Sequence, residues 1–225
     1  MAADPVYIAG IYEHPTRDAP DKSNLQLHAE VMKGALADAG LEKADVDGVF
    51  TAANTEFGTS QGPMDFVEYL GLETAYADTT DHGGSSYVSH VGHAASAIRN
   101  GKCDVAVVTL AGRPRQDTKS GPRVRNHAAA FESIYGTSTL NVYGMAMRRH
   151  MHEYGTTAEQ LAEGKVAASE HAQYNEDAYL PDPVTVEEVV DSPYVAEPLK
   201  RMDSCVVTDG GGAFVMVSED ARADI

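Results

Sequence analysis

The sequence predicts an α/β fold, with helices on both faces of a five-stranded sheet and a mostly helical insertion. Five segments rich in β-branched and aromatic residues have the length of strands. Segments with apolar residues at helical spacing separate the first four of them, an alternation typical of a sheet covered on both sides. The fifth strand-like segment follows only after a long polar and helical stretch, which predicts an insertion before the sheet is completed.

Local signals place the elements of the core. The predicted strands are 6–12, 45–52, 74–79, 103–110 and the last part of 206–218. Ser23 and Gln26 form a capping box for the first helix, which Gly40 ends. A short second helix is expected around 62–70, and a third helix ends at Gly101. The face of this third helix that is expected to pack on the sheet consists of Val88, Val91, Ala95 and Ile98.

Residues 113–203 form the expected insertion, so that 1–112 and 204–225 make up the core. The insertion begins with a polar stretch broken by glycine and proline, which predicts a loop. Its predicted helices lie near 139–153 and at two capping boxes, Thr156 with Glu159 and Thr185 with Glu188. We therefore expect an inserted loop subdomain that is mostly helical.

Charge is the unusual global property of this chain. It has 34 acidic residues against 17 lysines and arginines, a formal net charge of −17 and a pI of about 4.7. Such a surface repels nucleic acid and anionic membranes, which argues against both kinds of partner. So much acidity with so little lysine predicts adaptation to high salt, and an ordinary acidic cytoplasmic enzyme is the alternative.

Composition also bears on location and on metal binding. The sequence has neither a membrane-length apolar run nor the pattern of a signal peptide, so we expect a cytoplasmic protein. Cys103 and Cys205 lie far apart without metal-ligand spacing, so we expect two buried thiols and no metal site.

The segment DHGGSSYVSH, residues 81–90, presents two serines at the predicted start of the third helix. A helix N-terminus favours an attacking anion and can stabilise an oxyanion, so Ser85 is a candidate nucleophile. The alternative is a helix cap, worth about 1 kcal/mol. A serine nucleophile also needs an adjacent base, usually histidine. His82, His90 and His93 flank the motif, and we interpret the last two as partly buried polar residues rather than metal ligands.

Three longer strings resemble, in the same order, the N-terminal half of sterol-carrier-protein-type thiolases. They are GGSSYVSHVGHAASAIRNGKCDVAVV, HEYGTTAEQLAEGKVAASEHAQYNEDAYLPDPVTVEEVV and EPLKRMDSCVVTDGGGAFVMVS. The resemblance covers essentially the whole chain, and the middle string is the most specific. The acidity makes the chain most similar to the larger subunit of the two-subunit β-ketothiolases of halophilic archaea, in which serine replaces the nucleophilic cysteine.

The resemblance implies a thiolase-like fold with a mixed sheet, and acyl transfer between coenzyme A thioesters without a covalently bound cofactor. Counting back from Gly101 brings Gly84 or Ser85 to the position of the family's nucleophile, so Ser85 is the predicted acyl acceptor and Ser86 the fallback. It also implies a homo-oligomer and a small OB-fold partner subunit. The same fold can instead serve a coenzyme A thioester aldolase or C–C lyase that uses tyrosines, or a non-catalytic subunit that binds acyl-coenzyme A or a protein.

The family's remaining catalytic patterns do not occur in this sequence. Gly92-His93 is followed by Ala94, and neither cysteine begins a cysteine-glycine-glycine string. We therefore expect a C-terminal thiolase half, or a partner chain, to supply the catalytic histidines and the second cysteine.

The resemblance suggests roles for two further groups of residues, one basic and one rich in glycine. The family's insertion holds coenzyme A, so a basic cluster could anchor its phosphates, or else form a solvated loop. The cluster consists of Arg113, Arg115, Lys119, Arg123 and Arg125. Gly210, Gly211 and Gly212 lack the spacing of a phosphate-binding loop, and we expect them to form a tight turn into the last strand near the floor of the active site.

Overall fold

The computed structural model describes residues 4–52, 62–117, 131, 133–136 and 138–223. The chain divides into two compact units. The core unit comprises Met1–Ser120 and Thr208–Ile225, and the inserted unit comprises Gly121–Val207. The inserted unit thus begins eight residues and ends four residues after the 113 and 203 expected from the sequence.

The secondary structure follows the predicted order. The core unit contains β1 (Tyr7–Glu13), α1 (Asn24–Ala39), β2 (Gly48–Thr51), α2 (Pro63–Leu70), β3 (Tyr76–Asp78), α3 (Ser86–Arg99), β4 (Val105–Gly112) and α4 (Pro114–Asp117). The inserted unit contains α5 (Thr139–Tyr154), α6 (Ala158–Ala172), α7 (Val186–Asp191), β5 (Tyr194–Ala196) and β6 (Leu199–Lys200). The chain then returns to the core unit with β7 (Gly210–Val217) and α8 (Glu219–Arg222).

Within the described residues, the core sheet has five strands in the order β1-β7-β4-β2-β3. β7 pairs antiparallel with both β1 and β4, whereas β2 pairs parallel with β4 and β3. The predicted mixed five-stranded α/β sheet is therefore confirmed. β7, the last strand in the sequence, lies inside the sheet and joins β1 to the parallel part.

Helices cover both faces of this sheet, as predicted. Along β4 the buried side chains alternate: Val105 and Val107 pack in the cluster with α1 and α2, while Ala106 and Val108 pack in the cluster with α3. The predicted capping box of α1, Ser23 with Gln26, is present, and the helix ends at Gly40, whose φ is 70°.

The buried face of α3 differs from the predicted one. Val88 is 75% exposed, whereas Ser86, His90 and Ala94 are fully buried. Small and polar residues face the sheet because β2 and β4 contribute the bulky side chains there, such as Phe50. The apolar residues of α3 were therefore assigned to the wrong face in part, although Ile98 is buried as expected.

The described part of the inserted unit contains the helices α5, α6 and α7 and a two-stranded antiparallel sheet, β5 with β6. Its second helix begins one residue later than predicted. The N-cap of α6 is Thr157, whose side chain accepts a hydrogen bond from the Gln160 N–H, while the Thr156 hydroxyl lies 3.2 Å from His150 Nδ1. The capping box of α7, Thr185 with Glu188, agrees with the prediction.

The two cysteines differ in environment. Cys103 is buried, and burial raises the pKa of its thiol to about 12, with a further rise from Asp47 and Asp104. Cys205 is exposed, so the expectation of two buried thiols is wrong for that residue. In the part of the chain that the structure describes, no helix is both long enough and apolar enough to span a bilayer.

Candidate active site

A tight turn places the two serines at the start of α3. Gly83 has a φ of 93°, a conformation that side chains rarely adopt, and its carbonyl oxygen accepts the Ser86 N–H at 2.9 Å. The Ser86 hydroxyl donates to the same carbonyl at 2.6 Å and accepts the His82 N–H at 3.0 Å. Ser86 is fully buried, so its hydroxyl holds the turn and is shielded from a substrate.

Ser85 has the opposite environment. It is exposed, its backbone is helical, and its side chain makes no capping hydrogen bond, unlike that of an ordinary N-cap serine. Its Oγ lies 3.2 Å from Nδ1 of His82 instead. Of the two predicted positions, only Ser85 combines an accessible hydroxyl with a neighbouring histidine.

His82 also contacts a second serine. Its Nε2 lies 2.9 Å from Oγ of Ser89, one helical turn beyond Ser85. The imidazole therefore lies across the first turn of α3 and joins the hydroxyl of the exposed Ser85 to that of the half-buried Ser89. The sequence placed His82 beside the motif but did not single it out, because turn geometry rather than residue spacing brings it to Ser85.

The other two histidines have structural partners. Nε2 of the fully buried His90 accepts the Thr80 N–H at 3.2 Å, and burial lowers the pKa of His90. His93 lies 3.4 Å from a carboxylate oxygen of Asp78. Of the expected pair of partly buried residues, His90 is thus more deeply buried than predicted. Within the described ranges, no three His, Cys, Asp or Glu side chains form a group that could hold a metal ion.

A groove of about 760 Å³ lies over the α3 side of the sheet. Its lining includes Ile11, Tyr87, Leu110 and Gly210–Gly212. The three glycines are the first residues of β7 rather than the predicted turn, and a Cβ on Gly211 would lie 2.5 Å from the Leu110 carbonyl oxygen. A side chain at position 211 would therefore collide with the backbone of β4, which leaves room only for glycine. Ser85 is not part of the lining, but Tyr87 follows it by two residues on α3.

Asp209, just before the glycines, is a buried residue that the sequence analysis missed. Its carboxylate accepts hydrogen bonds from the backbone N–H groups of Ala19 and Arg115 and from the Gln116 side chain, each at 2.9 Å. Burial alone would raise its pKa, but these donors lower it below the usual value. Asp209 ties three segments of the core unit beside the groove.

The basic cluster lies only partly within the described residues. Arg113 contacts the Lys22 carbonyl oxygen and lies 3.6 Å from Asp117, and Arg115 lies 3.4 Å from Asp18. Nearby carboxylates thus offset part of the positive charge of both arginines. Lys119, Arg123 and Arg125 lie outside the described residues.

The mixed sheet, with helices on both faces and an insertion before its inner last strand, is a thiolase-like fold. The chain belongs to the thiolase N-terminal domain family, whose model matches residues 16–220. The predicted resemblance to the N-terminal half of thiolases is confirmed, whereas the similarity to the halophilic archaeal subunits stays a prediction.

The chain is similar to two characterised proteins and to one solved structure. The chain is 33% identical over 219 residues to 17-hydroxy-3-oxo-4-pregnene-20-carboxyl-CoA lyase of Mycobacterium tuberculosis, covering 91% of this chain and 55% of that protein. It is 30% identical over 229 residues to an acetyl-CoA acetyltransferase of Methanothermobacter thermautotrophicus, covering 96% and 57%. The solved Ltp2-ChsH2(DUF35) aldolase matches with 31% identity and a TM-score of 0.81, covering 97% and 57%. The chain thus spans just over half the length of these relatives.

Proposed function

We propose that this chain is the acyl-accepting half of a thiolase-fold acyltransferase that acts on coenzyme A thioesters, a β-ketothiolase activity, with Ser85 as the acceptor. The observation that carries the proposal is the Ser85 hydroxyl itself. It is exposed at a helix N-terminus, makes no capping hydrogen bond, and lies 3.2 Å from a histidine nitrogen. The relative named acetyl-CoA acetyltransferase supports the same reaction class.

In the proposed reaction, Ser85 attacks the thioester carbonyl and takes the acyl group, and coenzyme A leaves as its thiol. The positive end of the α3 dipole faces the oxyanion of the tetrahedral intermediate and stabilises it. A second acyl thioester, deprotonated at its α-carbon, then attacks the serine ester and forms the new carbon–carbon bond, while the ester C–O bond breaks and Ser85 regains its hydroxyl.

The second step needs groups that this sequence does not contain, and we propose that a C-terminal thiolase half or a partner chain supplies them. Exposed apolar side chains on the α3 side of the sheet support such a contact: Val88 is 75% exposed and Ile11 is 66% exposed. A small partner subunit is proposed as well, because the Ltp2-ChsH2(DUF35) aldolase is a complex of two named proteins. We keep the basic cluster of Arg113, Arg115, Lys119, Arg123 and Arg125 as the proposed anchor for coenzyme A phosphates.

A second candidate function is a coenzyme A thioester aldolase or C–C lyase. The names of two of the matched proteins, a steroid carboxyl-CoA lyase and an aldolase, favour it. In such an enzyme Ser85 forms no covalent intermediate, so the two candidates make opposite predictions for that residue.

The test is acyl loading of the 225-residue chain, followed by peptide mass spectrometry. After incubation with acetyl-coenzyme A, we expect an acetyl group on the peptide that contains Ser85, and none in Ser85→Ala. Ser85→Cys should load at least as fast, because a thiol at a helix N-terminus ionises readily. Ser96→Ala is the matched control, since Ser96 is an exposed serine farther along α3.

The outcomes separate the candidates. Loading at Ser85 without repeated turnover supports the acyltransferase and the need for a second half. No adduct on any residue, together with cleavage of a hydroxyacyl-coenzyme A by the complete enzyme carrying Ser85→Ala, supports the lyase. An adduct on Ser86 would contradict the assignment to Ser85.

A further inference from the structure

We propose that His82 is the general base that activates Ser85, and that Ser89 is a positioning residue that holds the His82 imidazole in the productive tautomer. This inference rests on the proposed function of Ser85 as acyl acceptor. It assigns the base for acyl loading to this chain, within the turn that carries the nucleophile, rather than to a second half.

The geometry fixes the required roles. A neutral imidazole has one N–H donor and one acceptor nitrogen. To accept the Ser85 proton, Nδ1 must be the bare nitrogen, which leaves the proton on Nε2. Ser89 Oγ lies 2.9 Å from Nε2 and can accept that N–H. A hydrogen bond at one nitrogen thus sets the protonation of the other, as in histidines that a third group orients.

The surrounding turn holds this arrangement in place. The backbone N–H of His82 donates to the Ser86 hydroxyl, and Asp81 accepts the Gly83 N–H at 3.2 Å. His82 is therefore anchored at its backbone and at both ring nitrogens. Only Gly83 and Gly84 separate His82 from Ser85, so the base and the nucleophile belong to one turn and no other element is needed to bring them together.

Neither of the two nearby histidines, His90 and His93, is placed to act as the base for Ser85. Nε2 of His90 already accepts a backbone N–H, and the side chain is buried. His93 lies beside Asp78, and its Nδ1 is 3.4 Å from the Thr80 hydroxyl. Among the described residues near the turn, His82 is the histidine in contact with Ser85.

The proposed step balances within these groups. The Ser85 proton moves to Nδ1 of His82 while Oγ forms a bond to the thioester carbon. The tetrahedral intermediate collapses and breaks the carbon–sulfur bond. The proton on Nδ1 passes to the departing sulfur, which leaves as a thiol, and His82 returns to its neutral state. The product is a serine ester, and no redox partner is needed.

The tautomer can be measured without any reaction. In ¹⁵N-labelled protein at pH 8.5, the nitrogen shifts of His82 should report a proton on Nε2. Ser89→Ala should move the ring towards a mixture of tautomers, and Ser96→Ala should leave it unchanged. A proton on Nδ1 in the wild-type chain overturns the inference.

The second measurement is the rate of acyl loading from the acetyl thioester of N-acetylcysteamine, a small probe without the coenzyme A nucleotide. Loss of a general base typically costs about 10²- to 10⁴-fold, so His82→Ala should load at least about 100-fold more slowly. Added imidazole should restore part of this rate, which a purely structural role of His82 would not explain. Ser85→Cys combined with His82→Ala should lose much less, because a thiol depends less on a base.

The two proposals fail in different ways. If the wild-type chain acquires no acyl group at Ser85, the proposed function fails and this inference falls with it. If Ser85 is loaded and His82→Ala or His82→Gln loads it at the wild-type rate, only the assignment of the base is wrong. Loading that is slow in His82→Ala, rescued by imidazole, and intermediate in Ser89→Ala supports the full arrangement.

Discussion

The core unit and the inserted unit are built in different ways. The core unit buries two large apolar clusters, one on each face of its sheet. In the inserted unit, the described residues include only two buried apolar side chains, Ala162 and Val189. Many of its large apolar residues are exposed, for example Tyr143 at 66% and Met145 at 61%.

The difference shows which forces define each unit. Burial of apolar surface is the dominant favourable term in folding, and most of the buried apolar side chains among the described residues lie in the core unit. The helices of the inserted unit instead have strong local signals, such as the caps at Ser138, Thr157 and Thr185. Caps contribute about 1 kcal/mol each, which defines where a helix begins but adds little to cooperative stability.

Truncation of a buried ring should separate the two units most clearly. Phe50 is fully buried in the core unit, with its ring 5.7 Å from that of Tyr76, so Phe50→Ala should lower the free energy of unfolding by about 3–5 kcal/mol. Tyr143→Ala in the inserted unit should change it by no more than about 0.5 kcal/mol. Urea denaturation measures both, and equal losses would contradict the comparison.

Acid should destabilise the core unit through His28. Burial lowers the pKa of His28 to about 4, whereas its value in an unfolded chain is about 6.5. Between these values the unfolded chain binds a proton that the folded chain does not, so the free energy of unfolding falls as the pH falls from about 6.5 to 4. The expected loss is about 3 kcal/mol.

The check is a set of denaturation curves between pH 7 and pH 4. His28→Gln should flatten this part of the pH dependence, whereas His171→Gln, at an exposed position in the inserted unit, should leave it unchanged. A wild-type stability that is constant over this range would show that His28 takes up a proton without unfolding.

Removal of one cap in each unit is a smaller test. Ser23→Ala at the start of α1 should lower global stability by about 1 kcal/mol, because α1 packs on the sheet. Thr157→Ala should weaken α6 by a similar amount, but mainly through local opening. Hydrogen exchange followed by mass spectrometry should therefore show faster exchange confined to the inserted unit for Thr157→Ala. Faster exchange throughout the chain in that variant would mean that the two units unfold together.

Added salt should raise the stability of the whole chain, without a difference confined to one unit. The net charge of −17 opposes the folded state through self-repulsion, which weakens as the Debye length falls from about 8 Å to about 3 Å in molar salt. If the chain is adapted to salt, the melting temperature should continue to rise up to molar potassium chloride, by roughly 2–4 °C for each kcal/mol gained. A flat profile would remove the argument for salt adaptation.

The fold of the core unit could be predicted from the sequence because its signals are local and agree with one another. Ser23 with Gln26 and Gly40 bound α1, and the apolar run from Cys103 to Leu110 corresponds to β4. The packed face of α3 could not be predicted from apolar spacing, since Val88 is exposed and His90 buried. Tertiary packing decides such a face, and helical periodicity alone does not reveal it.

The candidate site was predicted in part. The sequence placed Ser85 at the start of a helix, and chemistry requires a base, usually histidine, beside a serine nucleophile. The sequence could not identify which histidine lies beside Ser85. The contact between His82 and Ser85 depends on the positive φ of Gly83 and on the hydrogen bonds of Ser86. A glycine indicates that a turn with positive φ is allowed, but residue types do not specify which neighbouring side chains that turn brings together.

The position of β7 has a consequence for biosynthesis. Within the described residues, β7 is the only strand that pairs with β1, and α1 packs against β1, β7 and β4. A ribosome completes β4 at Gly112 and must then synthesise the whole inserted unit before β7 begins at Gly210. At roughly 5–20 residues per second, this takes about 5 to 20 seconds. During that time β1 has no strand to pair with and α1 lacks its contacts with β7, so we expect the nascent chain to expose part of the apolar face of α1 until β7 is made.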